Sequence, residues 1–456
     1  MRIKAVLCTW LLAIGLAWMA VVPAVPAVQP LADAQGAAAG WWQLRQHALY
    51  LTGLWSIGLM ALAMLLALRL PWLERPLGGM DQVYRLHKWA GTGAAIAAIA
   101  HWGAKESDGW IKALWGRAGK PARDTVLPWF TDMRGPAKDL GEWAFYLLLA
   151  MVAFTLLTRL LAYKPWRLLH RAMPLLFLAL AAHAAALMPA GFWAPPLGPA
   201  MGMLLVLGSL SALWSLAGRV GRARSHAGRI HAVRVLGEGP LAPVEVVCAL
   251  PASWPGHRAG QFVFVCFDHA EGQHPFTIAS APGSLGHGDQ GGPLLRLVIK
   301  PLGDYTRTLG QRLRAGQRVD IEGPYGRFDG QGEQRRRQVW VAGGVGMTPF
   351  LALLEARQPQ AAPVHAQPVH MHYCTRDAAR DPLLPRLRKL CAQALPPVQL
   401  HVHDDALGQR LTPQALEAHA GPLDIWFCGP QGLGAQLAAH AGARPWRLHR
   451  ESFALR

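Results

Sequence analysis

The sequence predicts a membrane-embedded all-α bundle of six helices, followed by an antiparallel β-barrel and then an α/β domain. Three observations carry this. Six apolar stretches crowd into the first 218 residues, short β runs occupy about 230 to 328, and a β–α alternation begins at 338. At 456 residues the chain is long enough for two or three domains. Boundaries are expected at 1–218, 226–330 and 336–456, with 219–229 a basic linker and Asp329 to Arg337 a Gly/Arg-rich second boundary.

The apolar stretches lie near 7–28, 46–70, 84–104, 141–162, 168–189 and 199–218. Each is long enough to cross a bilayer. The first opens with Arg2-Ile3-Lys4 and runs to Val25-Pro26-Ala27, the pattern of a cleavable signal; its length favours a retained helix. Basic residues set the orientation. Arg2 and Lys4; Arg69, Arg75, Arg85 and Lys88; Arg159, Lys164, Arg167 and Arg171; and Arg219, Arg222, Arg224 and Arg229 all fall on one side if the helices alternate. That side is read as cytoplasmic. The expectation is a multi-pass protein of the inner (plasma) membrane whose two downstream domains face the cytoplasm. The net charge of +18 is thus partly a topology signal. Nucleic-acid binding is excluded, because no contiguous basic helix or aromatic-basic interleaving occurs.

Polar residues are sparse in these stretches, which makes four histidines stand out. His87 and His101 lie 14 residues apart in the third stretch, and His170 and His183 lie 13 apart in the fifth. On helices those spacings separate each pair by roughly 20 Å and keep both members on nearly one face. A polar group at membrane depth is costly unless it works. Two such helices side by side offer two bis-histidine sites, one above the other, and iron porphyrin is the cofactor that wants an axial imidazole from each side.

The six cysteines are Cys8, Cys248, Cys266, Cys374, Cys391 and Cys428, and no CxxC occurs. This fits a reduced compartment and argues against a zinc knuckle or an iron–sulfur cluster. In the barrel region, strands are expected at Val244–Cys248, Gln261–Phe267 and Leu294–Ile299. Between them sits His274-Pro275-Phe276-Thr277-Ile278-Ala279-Ser280, whose rigid edge, aromatic face and hydroxyls suit a flat heteroaromatic ring. Lys300-Pro301-Leu302-Gly303-Asp304-Tyr305-Thr306 places a close-approach glycine and a hydroxyl at a helix start, where a phosphate binds well. Glu322-Gly-Pro-Tyr-Gly-Arg-Phe328 follows.

From 338 the expected order is strand Gln338–Ala342, turn Gly343-Gly344-Val345-Gly346-Met347-Thr348-Pro349 and helix Phe350–Arg357. Further strands are expected at Val369–Cys374, Val398–His403 and Ile425–Cys428, the last opening into Gly429-Pro430. Thr348 is placed to cap the helix and Pro349 to start it. A glycine turn from strand into helix is a place for a diphosphate, although this one is not GxGxxG. His370 and His372, and His401 and His403, alternate on their strands and read as solvated residues rather than a metal site.

Taken in order, His274-Pro-Phe-Thr277, Gly343-Gly-Val-Gly-Met-Thr-Pro349, Cys428-Gly-Pro430 and Glu451-Ser-Phe453, behind a helical region with paired histidines, resemble the ferric reductase/NADPH oxidase superfamily. The soluble half resembles its ferredoxin–NADP reductase-type module, and the likeness runs from the second helix to Phe453. The resemblance implies two b-type haems, FAD and NADPH or NADH. His87 with His170 would ligate an inner haem and His101 with His183 an outer one. Arg85, Lys88 and Arg171 would reach haem propionates or simply mark the cytoplasmic side, and Phe177 would fill the gap between haems or serve as an ordinary core residue. His274, Pro275, Phe276 and Thr277 would hold the isoalloxazine, Gly303 and Thr306 the FAD pyrophosphate, with Ser280 and Lys300 completing the set. Gly343, Gly344, Gly346, Thr348 and Pro349 would cradle the nicotinamide dinucleotide, Cys428, Gly429 and Pro430 would border the nicotinamide, and Arg376 would read a 2′-phosphate. Phe453 would stack on the flavin; here Ala454-Leu455-Arg456 follow it, whereas the family's aromatic often ends the chain. Thr277, Cys428 and Phe453 are the residues expected at the reacting rings.

The resemblance implies electron flow from NAD(P)H through FAD and the haems to a small-molecule acceptor across the bilayer, oxygen or a ferric chelate. The alternative is a membrane subunit feeding a partner protein or quinone. A transporter fused to a flavoreductase would need intramembrane carboxylates or broken helices, which the stretches lack. No EF-hand loop or regulatory extension is evident, so neither a calcium switch nor an obligatory regulatory subunit is expected. The 105–139 loop, with Trp110, Trp115 and Trp129, is expected to cap the outer end.

Overall fold

The computed structural model describes residues 2–25, 28, 37–121, 124–156, 163–288, 291–333, 335–359 and 368–450. It divides into two units, Met1–Val220 and Gly221–Arg456.

The first unit is helical. Its elements are α1 (Arg2–Val21), α2 (Ala37–Ala67), α3 (Pro71–Leu77), α4 (Met80–Trp115), α5 (Arg134–Leu156), α6 (Tyr163–His170), α7 (Met173–Leu187) and α8 (Leu197–Leu216). Among the described residues, four segments are long and apolar enough to cross a membrane: Ile3–Val21, Ala37–Ala67, Arg167–Leu187 and Leu197–Leu216. The remaining two expected stretches form α4 and α5. The third stretch, expected to end at 104, continues as α4 to Trp115, and the fourth, as α5, starts at Arg134 rather than 141. The extra turns carry charge that is paired. Lys105 donates to Glu142 of α5 at 2.8 Å, and Asp108 pairs with Lys112 and with Lys120. Much of the expected 105–139 loop is therefore helix. Trp110 and Trp129 are exposed there, while Trp115 stacks on Trp41 at 5.1 Å.

A second correction concerns the stretch at 168–189. It is not one helix: α6 ends at His170 and α7 starts at Met173. Pro174 in the first turn of α7 has no N–H to continue the ladder, so the chain turns at Arg171-Ala172 and restarts. Polar anchors tie the other helices. Trp10 and Trp55 donate across α1 and α2 to Gly58 and Leu11 carbonyls, and Ser56 donates to the Ala94 carbonyl of α4. Phe177 is fully buried and faces Gly208 of α8, an ordinary core position.

The second unit holds two sheets. The strands β1 (Ser225–Val235), β2 (Val244–Ala249), β3 (Phe262–Cys266), β4 (His274–Thr277), β5 (Leu294–Ile299) and β6 (Arg318–Tyr325) form an antiparallel sheet in the order β4-β3-β6-β1-β2-β5. Its edges approach each other at the bridge Ile278↔Leu297, where the Ala279 N–H also donates to the Arg296 carbonyl at 2.8 Å. Alternate residues Val244, Val246 and Cys248 point into a core with Val263, Val265, Leu295, Leu297 and Ile321. Helix α9 (Asp304–Arg312) follows β5 and buries Leu309 there.

The parallel sheet contains β7 (Arg337–Gly343), β8 (Val369–Thr375), β9 (Val398–Asp404), β10 (Leu423–Cys428) and β11 (Arg447–Arg450), with α10 (Thr348–Glu355), α11 (Leu384–Gln393) and α12 (Gln431–Ala441). Every expected strand forms, within a residue or two of its expected ends. The order is β11-β10-β7-β8-β9. One face packs Trp340, Met371, Tyr373 and Trp426 with α10 and α11; the other packs Val339, Val341, Ile425 and Phe427 with Leu411, Leu416 and Leu437. The strand sequence leaves β7 in one direction toward β8 and β9, then returns to its other side with β10. That reversal between β7 and β10 is a topological switch point, where open α/β sheets bind ligands at the carboxyl ends of the strands.

Candidate functional site

In the helical unit the four histidines form two couples. His87 and His170 have ring centroids 6.0 Å apart with planes at 75°, and His101 and His183 are 6.4 Å apart at 88°. Nitrogen–metal bonds of about 2 Å on each side of one ion would set two imidazole centroids roughly 6 Å apart. Three of the rings are also fixed from behind. Nδ1 of His87 lies 2.9 Å from the Ala63 carbonyl, that of His101 2.7 Å from Leu49, and that of His183 2.8 Å from Ala137. A carbonyl only accepts, so Nδ1 carries the proton and Nε2 keeps its lone pair, the arrangement that orients a metal-ligating histidine.

Two glycines make room for this. A Cβ on Gly53 would lie 3.0 Å from His101 Nδ1, and one on Gly141 would overlap the His183 ring outright. Each glycine follows its acceptor by four residues, Leu49 to Gly53 and Ala137 to Gly141, so the carbonyl that receives the imidazole proton sits one turn below the missing side chain. Sequence reasoning found the histidines and missed these glycines. Their only signal is a glycine inside an apolar helix. The ring spacing fits a haem iron between each couple, and at His101 and His183 two fixed tautomers and two clearing glycines add to that fit.

In the second unit the glycine turn and the Cys428-Gly-Pro turn meet at the switch point. A Cβ on Gly346 would overlap the Cys428 carbonyl, and one on Gly343 would lie 2.5 Å from Pro430. Gly344 has φ of 55°, the left-handed region that glycine enters without strain, and the Lys300 ammonium comes within 3.7 Å of where its Cβ would stand. Backbone packed this closely, beside an ammonium, suits a diphosphate. Thr348 does not cap as expected: it is the first residue of α10, is buried, and its hydroxyl donates back to the Val345 carbonyl at 3.0 Å. Pro349 stands in the first turn of the same helix.

On the antiparallel sheet, His274 of edge strand β4 stacks on Tyr305 at 4.5 Å, with 18° between the rings. Pro275 and Phe276 are half-buried and Thr277 is buried. This aromatic edge fits a flat ring. Ser280 lies deeper: it is fully buried, its hydroxyl accepts from the Arg296 N–H, and its carbonyl meets His257 Nε2 at 3.0 Å. Burial holds His257 below the ordinary histidine value, against that hydrogen bond. Thr306 caps α9, its hydroxyl accepting from the Leu302 and Gly303 N–H groups at 2.9 and 3.0 Å. Arg376 is exposed at the end of β8, within electrostatic reach of Asp405. Phe453, with Glu451 and Ser452, lies outside the described residues.

A buried ion network ties the two sheets together, and sequence reasoning missed it too. Glu355 at the end of α10 accepts from Arg296 at 2.7 Å and Arg386 at 2.6 Å through one oxygen. Its other oxygen accepts from Ala281 N–H and the Ser284 hydroxyl, and Arg386 also pairs with Glu245 at 2.9 Å. Side chains of Arg296 and Glu355 are each 9% exposed. Removing one partner strands the others, so Glu355→Ala is expected to cost about 3–5 kcal/mol. Thermal or denaturant unfolding followed through flavin release would measure it; a change below about 1 kcal/mol would show the network to be slack.

Residues 52–181 match the family described as ferric reductase like transmembrane component, and residues 243–329 match an FAD-binding domain family. Over these two stretches the chain is similar to the ferric reductase/NADPH oxidase-like superfamily. The first match takes in His87, His101 and His170, and the second runs from β2 past Phe328. This reductase-like chain is 32% identical over 154 residues to the heme-dependent oxidative N-demethylase beta subunit of Ectopseudomonas mendocina (strain ymp), covering 33% of this chain and 46% of that protein. It is 31% identical over 160 residues to the carnitine monooxygenase reductase subunit of Escherichia coli (strain K12), covering 33% and 45%. The chain thus spans less than half the length of these relatives. Among solved structures, flavohemoglobin from Malassezia yamatoensis superposes with a TM-score of 0.47 at 16% identity, over 92% of this chain and 100% of that one. The membrane-component match lies over the helical unit and the flavin-domain match over the antiparallel sheet.

Proposed function

We propose that the chain is a transmembrane flavohaem oxidoreductase, carrying electrons from cytoplasmic NADPH or NADH by way of FAD and two b-type haems to an acceptor across the inner membrane. The observation that supports it most is the pair of imidazole couples at 6.0 and 6.4 Å, with the rings of three histidines held through Nδ1. When bound, FAD supplies a two-electron hydride acceptor and the haems supply one-electron carriers. The protein's share is positional. His87 with His170 would hold one haem, and His101 with His183 the other. Arg85, Lys88 and Arg171 are the basic groups available for propionates.

In the second unit, His274 to Thr277 would face the isoalloxazine, and Lys300 with Gly343, Gly344 and Gly346 would hold diphosphate charge. The N–H groups of Leu302 and Gly303 are taken up by Thr306, so Thr306 acts there by shaping the start of α9. Cys428, Gly429 and Pro430 would border the nicotinamide, Arg376 would favour NADPH over NADH, and Phe453 would shield the flavin. The domains are read as 1–218, 226–330 and 336–456.

For the acceptor, oxygen and ferric chelates are both one-electron acceptors that would suit a haem donor. A second reading, delivery to a partner protein, is favoured by the relatives, which are named as reductase and demethylase subunits. Purified chain supplied with NADPH should reduce oxygen or ferric chelate at a steady rate without any addition. NADPH oxidation that starts only when a partner protein or quinone is supplied would replace the first reading with the second.

A further inference from the structure

The strand histidines expected to be solvated instead converge. His370 and His372 of β8 and His401 and His403 of β9 share one sheet face, with His372 directly opposite His401. This is the face that β7 and β10 pack with Val339, Val341, Ile425 and Phe427. A fifth ring arrives from elsewhere: His419, just after the turn Pro413–Ala418, is buried against them, 4.2 Å from His370 between centroids. One nitrogen each from His370, His401 and His419 lies within 4.8 Å of the others.

We propose that His370, His401 and His419 form a binding site for one zinc-class divalent ion. Two orphaned atoms point to a ligand: Nδ1 of His370 and Nε2 of His401 are buried and have no hydrogen-bond partner among the described residues. Buried polar atoms left unmet are costly, and an ion meets both. His372 supplies the supporting shell. Its Nδ1 lies 2.9 Å from His403 Nε2 and its Nε2 lies 2.8 Å from His419 Nε2. A neutral ring has one N–H, so His372 donates to one neighbour and accepts from the other, and His419 is oriented by it.

Three imidazoles without a carboxylate favour zinc, and nickel or copper where these are available, over magnesium or calcium, which want oxygen. A tetrahedral ion needs its nitrogens about 3.3 Å apart, so small side-chain rotations would close the site around it. The fourth position would hold water, since β9 is the edge strand. The ion would staple this edge strand and the Pro413–His419 segment to the sheet. Zinc has no redox chemistry of its own, so the role is structural.

The test uses the tag-free full chain with its cofactors, stripped with EDTA and dialysed against micromolar Zn²⁺. Protein-bound zinc is counted by mass spectrometry, and thermal unfolding is followed with and without the ion. One zinc per chain and a raised unfolding midpoint are expected. Both should vanish in His370→Ala/His401→Ala. His401→Gln, a milder change that serves if the double variant fails to fold, should weaken binding at least about tenfold. No zinc on the wild-type chain, or equal zinc on wild type and His401→Gln, overturns the site.

Discussion

His183→Ala is expected to lower the haem content from two per chain to one while NAD(P)H still reduces the flavin at its original rate. The reasoning is local. His183 is opposed by His101 alone, its Nδ1 is held by Ala137, and nothing in the couple 6.0 Å apart at His87 and His170 depends on it. Electron delivery to an outer acceptor should fall at least about a hundredfold, because the second carrier is gone. A companion variant separates loss of a ligand from loss of a fold. Gly141→Ala keeps all four histidines, yet its new Cβ would overlap the His183 ring. It should therefore weaken the same haem while the His87–His170 haem keeps its spectrum. Pyridine haemochrome counts and flavin absorbance under anaerobic NADPH read both outcomes. Loss of flavin reduction in His183→Ala would contradict the division of labour between the two units.

The second large effect lies at the switch point of the parallel sheet. Gly346→Val should abolish flavin reduction by NAD(P)H, with dithionite still reducing the haems. The glycine has no room for a side chain because its neighbour is the Cys428 carbonyl, backbone at the end of a central strand that cannot swing away as a flexible side chain would. The substitution must part the glycine turn from the Cys428-Gly-Pro turn and so open the crevice where the dinucleotide is proposed to sit. Strain of a few kcal/mol is the expected cost of such overpacking. Stopped-flow reduction at 450 nm measures the effect. A rate within about threefold of wild type would mean that the turn contacts no dinucleotide.

Much of this was readable in the chain itself. The expected strand at Leu294–Ile299 forms with those ends, since a run apolar but for Arg296 and bounded by Pro293 and Lys300-Pro301 has few alternatives. The paired histidines were visible because two helical spacings repeat in otherwise apolar surroundings. What failed to show was tertiary. The length of α4 was underestimated because Lys105 and Asp108 read as loop charges until Glu142, Lys112 and Lys120 are seen to neutralise them. Pro174 carried the break between α6 and α7, but the apolar run on either side masked it. Gly53 and Gly141 acquire meaning only once the facing helix is known. His419 stands 16 residues after His403, beyond a turn, so no local pattern joins it to the strand histidines.

The central claim is that two porphyrins bridge the facing histidines, and haem iron per chain tests it most directly. Chain produced with haem supplied should carry two haem irons, with the low-spin spectrum of bis-imidazole coordination. Iron-free chain that still reduces FAD with NADPH would contradict the account and leave a membrane-tethered flavin reductase.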